Sequence, residues 1–156
     1  MTDSLLELRQ TLGKFATGIT VVTCCAADGR ACGITANSFC SVSLEPPLVL
    51  WNIAKSSNSL QAYLEATHFA IHVLNDQQEA ISRHFAKTDH KAFDRIQYRM
   101  SDEQVPILEA GLARLDCRTE RVIEAGDHHI IIGEVLRHEA YDGAPLMYYN
   151  GNYARF

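Results

Sequence analysis

The chain is poor in the features that would tie it to nucleic acid, to a membrane or to a metal. Fourteen lysine and arginine residues against nineteen aspartate and glutamate residues leave a net charge of −5, and the cations never gather into a run. A phosphate backbone is gripped by clustered cations, so nucleic acid is not an expected partner. Long apolar runs are also missing: Pro47 to Trp51 and Ile130 to Ile132 are far too short to cross a bilayer, and no membrane partner is expected. Residues 1–15 lack the basic start, apolar middle and small-residue cleavage site of a secretory signal, so the expectation is a cytoplasmic protein. Five cysteines (Cys24, Cys25, Cys32, Cys40 and Cys117) include no Cys-x-x-Cys pair. Their odd number and apolar neighbours suit reduced thiols that fill a core. His68 and His72 fall on one face of a strand-like run without an evident third ligand, which points away from a metal site. There is no Gly-x-Gly-x-x-Gly turn for a Rossmann site and no Ser/His/Asp or Cys/His set, so no catalytic side chain is assigned.

What the chain does contain is an ordinary globular composition, 47% hydrophobic and 21% charged over 156 residues, which predicts one domain over residues 1–156. Apolar positions 5, 8, 12 and 15 keep helical spacing, with Ser4 as cap and Glu7 completing a capping box. The β-branched run 19–24, the Asp28-Gly29 turn and the return through 31–36 predict a hairpin. Further strands are expected over 48–53, 68–74, 113–124, 129–141 and 146–149. Short helices are expected over 59–65, capped by Ser57 or Asn58, and 77–85, capped by Asp76 with Ala80, Ile81, His84 and Phe85 on one face. Residues 86–110 read as a charged surface excursion. Strands in hairpin order outnumber helices. This predicts a mainly β protein with α-helices (α+β), an antiparallel barrel with a few covering helices.

Three groups could carry chemistry. Thr35, Asn37, Ser38, Ser41 and Ser43 set hydroxyls and an amide beside a strand, and can either match the polar edge of a flat ring such as a flavin or simply form a polar turn. Lys55-Ser56-Ser57-Asn58 follows the strand 48–53, and reads either as a phosphate site or as a helix cap beside a solvated lysine. Gly126-Asp127-His128-His129 delivers a histidine at the mouth of a long strand, where His128 either meets a ligand or is merely structural.

Taken in order, Gly33-Ile34-Thr35-Ala36-Asn37-Ser38-Phe39, Ser41-Val42-Ser43, Pro46-Pro47-Leu48, Asn52 to Ser57, His84-Phe85-Ala86, Gly126-Asp127-His128, Gly133-Glu134-Val135 and Leu146 to Tyr153 resemble the flavin reductase family of FMN-binding split barrels. That family includes the reductase components of two-component flavin monooxygenases. The resemblance implies a split β-barrel homodimer that uses NADH, in preference to NADPH, to reduce FMN or FAD and passes reduced flavin to a partner monooxygenase. It also implies flavin contacts from Thr35, Ala36, Asn37, Ser38, Ser41 and Asn52, phosphate contacts from Lys55, Ser56 and Ser57, proximity of Phe85 and Ala86, and a nicotinamide contact from His128. Many relatives carry arginine near Lys55; lysine keeps the charge but loses the bidentate fork. A flavin accepts hydride directly, so the shortage of acid–base groups agrees with this reading. The alternatives are a flavoprotein with tightly held FMN acting on an organic substrate, and a non-catalytic flavin-binding module.

Overall fold

Runs of β-branched and aromatic residues separated by turn signals produce a protein of antiparallel strands. The computed structural model describes residues 3–87, 93–109 and 111–156. Helix α1 (Asp3–Leu12) precedes β1 (Thr17–Gly18), β2 (Thr20–Cys25), β3 (Ala31–Ala36), β4 (Cys40–Leu44) and β5 (Pro47–Ala54). Helix α2 (Leu60–Glu65), β6 (His68–Val73) and α3 (Glu79–Phe85) follow. The remainder is strand: β7 (Tyr98–Met100), β8 (Pro106–Leu108), β9 (Ala113–Ala125), β10 (His128–Ala140), β11 (Leu146–Tyr149) and β12 (Asn152–Arg155). Seven strands form one sheet in the order β3-β2-β6-β9-β10-β5-β4, with β1-β11-β12 and β7-β8 as two smaller sheets. The expected α+β, mainly β class is therefore found. The large sheet has free edges at β3 and β4, so the described strands do not close a barrel.

The core lies between this sheet and the short helices. Trp51 stands edge-on to Tyr63 at 5.0 Å, and Phe69 leans on the same indole at 6.2 Å. The buried Tyr63 hydroxyl donates to the Val22 carbonyl at 2.7 Å, satisfying its one polar atom. Cys24, Cys32 and Cys117 are buried as expected of core thiols, whereas Cys25 is half-buried and Cys40 exposed. No helix among the described residues is long and apolar enough to cross a membrane.

Four local expectations change. Helix α1 starts at Asp3, which puts Ser4 inside it, and its apolar stripe buries nothing. Helix α2 starts after Ser59, which makes no side-chain cap bond, rather than after Ser57 or Asn58. Helix α3 begins only at Glu79, after Gln78, and turns Ser82 and Phe85 inward while Ala80 is exposed. Within the supposed excursion 86–110, residues 88–92 and 110 lie outside the described residues, but β7 and β8 pair there and Val105, Ile107 and Leu108 are buried. Three-residue strands are too short to show a period-two pattern, which is why the sequence hid them.

His72, one of the two histidines for which the sequence offered no third ligand, is a core residue. Its Nδ1–H donates to the Val21 carbonyl at 3.1 Å, and Nε2 accepts the Leu108 N–H at 3.1 Å. Burial lowers its pKa from 6.5 to about 4. The folded protein therefore resists a proton that the unfolded chain accepts, and stability falls as pH drops below about 6.5. Between pH 7 and pH 5 this histidine alone should remove about 2 kcal/mol of stability. Urea unfolding at the two pH values checks this: His72→Gln should flatten the slope, and equal losses in both proteins would rule it out.

Candidate functional site

Where β3 ends, α3 and the C-terminal hairpin close around a cavity of about 600 Å³, a size suited to a cofactor-like ligand. Thr35 and Asn37 form one wall, Ser82, Arg83, Ala86 and Lys87 another, and Tyr148, Tyr153 and Ile19 the remainder. Hydrogen bonds lock these walls together. Thr35 Oγ1 donates to the Ser82 carbonyl at 2.6 Å, and Ser82 Oγ meets the Tyr153 hydroxyl at 2.8 Å. Arg83 is held by Glu79 at 2.8 Å, and its guanidinium carbon stands 4.5 Å over the Tyr153 ring. The cavity thus offers an aromatic floor, a neutral amide and two cations one helical turn apart.

A second polar group begins at Ser38, the residue after Asn37. Ser38 Oγ accepts the Asn52 N–H at 2.9 Å and donates to the Asn52 carbonyl at 3.3 Å, so the hydroxyl extends the β4–β5 ladder past Cys40. This leaves the Asn52 side chain as the free polar group. Its Oδ1 is buried and has no hydrogen-bond partner among the described residues. An orphaned buried acceptor costs about 1–3 kcal/mol, so it fits a ligand that brings an N–H or O–H donor.

The turn after β5 carries the expected phosphate residues. Lys55 and Ser56 are exposed and Ser57 half-buried. Helix α2 spans only six residues, which leaves little helix dipole to assist an anion. The Lys55 N–H donates to the Asp127 carbonyl at 2.9 Å, and its ammonium pairs with Glu124. Gly126, at φ 60°, takes the first central position of the β9–β10 hairpin turn, a place for glycine. That turn presents His128, whose Nδ1–H donates to Asp127 Oδ1 at 2.7 Å. The bond leaves Nε2 of the neutral ring as an acceptor. Its partner, Asp127, is held below the usual carboxylate range by the same contact.

Of the residues singled out in the sequence, Thr35, Asn37 and Ala86 meet at the cavity, and Ser38 and Asn52 are bonded to each other. Lys55, Ser56, Ser57 and His128 gather at the neighbouring turns. Ala36 points into the core, with its carbonyl accepting from Thr20 Oγ1 at 2.7 Å. Ser41 lies exposed on the edge strand β4. Phe85 is buried beneath the cavity and does not line it. Sequence reasoning missed Ile19, Ser82, Arg83, Lys87 and the roles of Tyr148 and Tyr153. The spacing of Arg83 and Lys87, four apart on a helical pattern, was the available signal.

Residues 12–156 match the model of the flavin reductase like domain. The chain belongs to this family. Among related flavin reductase proteins, it is 50% identical to the FMN reductase (NADH) SmoA of Agrobacterium fabrum, over 96% of this chain and 85% of that one. It is 42% identical to the reductase component of a flavin-dependent trigonelline monooxygenase from Acinetobacter baylyi, over 97% of this chain but only 49% of that longer relative. Its fold matches that of the NADH:FAD oxidoreductase SgcE6 of Streptomyces globisporus, solved with NAD and FAD fragments. That match has a TM-score of 0.91 and 36% identity over 97% of this chain and 92% of the other.

Proposed function

We propose that this flavin reductase-like chain is an NADH:flavin oxidoreductase that takes FMN or FAD as an exchangeable substrate and supplies reduced flavin to a partner monooxygenase. The observation that carries the reading is the joining of family membership over residues 12–156 with a cavity whose donors and acceptors suit a flat heterocycle. Bound flavin supplies the hydride acceptor. The protein's task is to hold and align, and the following roles are our assignment. Asn52 Oδ1 and the Asn37 amide meet the polar edge of the ring, and Tyr148 and Tyr153 offer it an apolar face. Thr35 and Ser38 act through the framework, because their hydroxyls are already committed. Lys55, Ser56 and Ser57 take the phosphate, and His128 meets the nicotinamide. Names of relatives as reductases and reductase components favour this over a flavoprotein with permanently held FMN.

Steady-state NADH oxidation with FMN, FAD or no flavin tests the proposal. Turnover should require added flavin and favour NADH over NADPH; NADH consumption indifferent to both flavins would reject it. In the same assay His128→Ala should raise the KM for NADH several-fold and leave flavin affinity unchanged. A loss of flavin affinity instead would move His128 out of the nicotinamide role.

We also assign the chain to a split-barrel homodimer. The support is exposed apolar surface: Leu12 at the end of α1 and Phe15 just beyond it are 66% and 79% exposed, and Val122, Ile123 and Leu136 on β9 and β10 are also exposed. Light scattering should report twice the mass of one chain.

A further inference from the structure

The lysine assigned to phosphate already has an anionic partner. Ile53, His129 and Glu124 are register neighbours across β5, β10 and β9, and Lys55 continues β5 just beyond this row. The Lys55 backbone is pinned to the hairpin turn by its 2.9 Å bond to the Asp127 carbonyl, so its ammonium falls beside Glu124. The Glu124 carboxyl is held below its usual range by that contact. A second carboxylate, Asp127, stands on the same turn and is engaged by His128. An incoming phosphate thus meets one ammonium that is already neutralised, with another negative charge nearby.

We propose that Glu124 is an internal competitor of the flavin phosphate for Lys55, and that this competition sets how readily flavin leaves. The inference rests on the phosphate reading of Lys55 given above. A lysine ammonium is a compact point charge without the planar fork of arginine, so Glu124 and a phosphate compete for one position. When phosphate binds, the ion pair opens; when phosphate departs, the pair reforms and offsets part of the lost contact. The result is a lower barrier to release without weaker recognition of the ring. Such a device suits an enzyme whose product is a diffusible flavin, which must be let go in every turnover.

Binding of FMN and of riboflavin, read by flavin fluorescence quenching, tests the idea in four proteins: wild type, Glu124→Gln, Lys55→Ala and the double variant. Glu124 is exposed and glutamine keeps its shape, so folding is spared. Glu124→Gln should bind FMN about three- to tenfold more tightly, a range expected for a partly screened charge pair, with slower release in stopped flow. Riboflavin, which has no phosphate, should change less than about twofold. Adding Glu124→Gln to Lys55→Ala should leave FMN binding as it is in Lys55→Ala; a tightening there would assign the effect to net charge and overturn the proposal. Unchanged FMN binding in Glu124→Gln overturns it too, and weaker binding would make Glu124 a residue that orients Lys55. If Lys55→Ala weakens FMN selectively while Glu124→Gln does nothing, only the competition fails. If Lys55→Ala affects FMN and riboflavin equally, the phosphate reading fails and the competition with it.

Discussion

Phe85→Ala should cost about 3–5 kcal/mol of stability, the usual range for emptying a buried aromatic site. The ring is 1% exposed and packs with Ile19, Val21, Leu74, Leu108 and Leu146. Phe93 stands 5.1 Å from it. Gly33 faces the same ring so closely that a Cβ there would lie 2.5 Å from Phe85 Cε1. Close packing of this kind means that removing the ring leaves a hole that its neighbours refill only in part. Ile19 belongs both to this cluster and to the cavity wall, and α3 carries Ser82 and Arg83, with Ala86 as its C-cap. Loosening Phe85 should therefore also blur the cavity. A scanning thermal melt should show a drop of roughly 10 °C, together with reduced flavin-dependent NADH oxidation. Phe85→Leu, which retains most of the volume, should lose no more than about 1.5 kcal/mol. An unshifted melting temperature in Phe85→Ala, with flavin affinity lost, would mean instead that the ring touches ligand.

Asp116→Ala should be comparably damaging, about 3 kcal/mol, because it strands charge in a place water barely reaches. The Asp116 and Arg114 side chains are 10% and 14% exposed. Arg114 Nε stands 3.0 Å from Asp116 Oδ1, near enough for charge attraction but poorly angled for a hydrogen bond. Arg137 Nε donates to the other oxygen at 3.3 Å and also pairs with Glu103, while Arg114 reaches Glu139 at 3.0 Å. The carboxylate thus ties β9 to β10 through Arg137, which in turn holds Glu103 in the loop before β8. Its removal leaves Arg114, among the described residues, paired with the more exposed Glu139. Urea unfolding gives the loss directly, and a change below about 1 kcal/mol would show that the arginines find other partners. Substituting Glu79, whose pairing with Arg83 lies on the surface of α3, should by contrast cost less than about 1 kcal/mol.

The strands with a strong period or a marked turn were legible in the sequence. Asp28-Gly29 located the β2–β3 hairpin, which closes with the Ala26 N–H on the Arg30 carbonyl at 2.8 Å. The strands expected over 48–53, 68–74, 113–124 and 129–141 match β5, β6, β9 and β10 to within a residue. Edge strand β4 was missed although Cys40-Ser41-Val42-Ser43-Leu44 alternates apolar and polar residues; its serines read as a polar loop, and four of its five residues are exposed. Strand β12 was missed although its signal was present: Asn150-Gly151, at φ 51° and 80°, forms the two-residue turn that such a dipeptide favours. The stripe at Leu5, Leu8, Leu12 and Phe15 predicted helix correctly at α1 but not burial, since a period reveals a face and not what covers it.

Motif order brought out the polar half of the candidate site, but chemistry at the level of atoms was hidden. Nothing in a string of letters distinguishes Asn52, with its orphaned acceptor, from Ser38 and Thr35, whose hydroxyls are spent on backbone groups. The Lys55–Glu124 contact was equally invisible, because it depends on the register between β9, β10 and β5. Charge partners across strands are set by pairing and not by spacing along the chain.

The cavity draws its walls from Thr35, from α3 and from the β11–β12 hairpin, three segments widely separated along the chain. During synthesis the first two emerge well before the third, and Ser82 must wait for Tyr153 to receive its hydroxyl contact. Contacts of such long range form late, after the loops between them have closed. A nascent chain can therefore hold its central sheet while this cavity still lacks a wall, and the complete cavity is among the last features the molecule acquires.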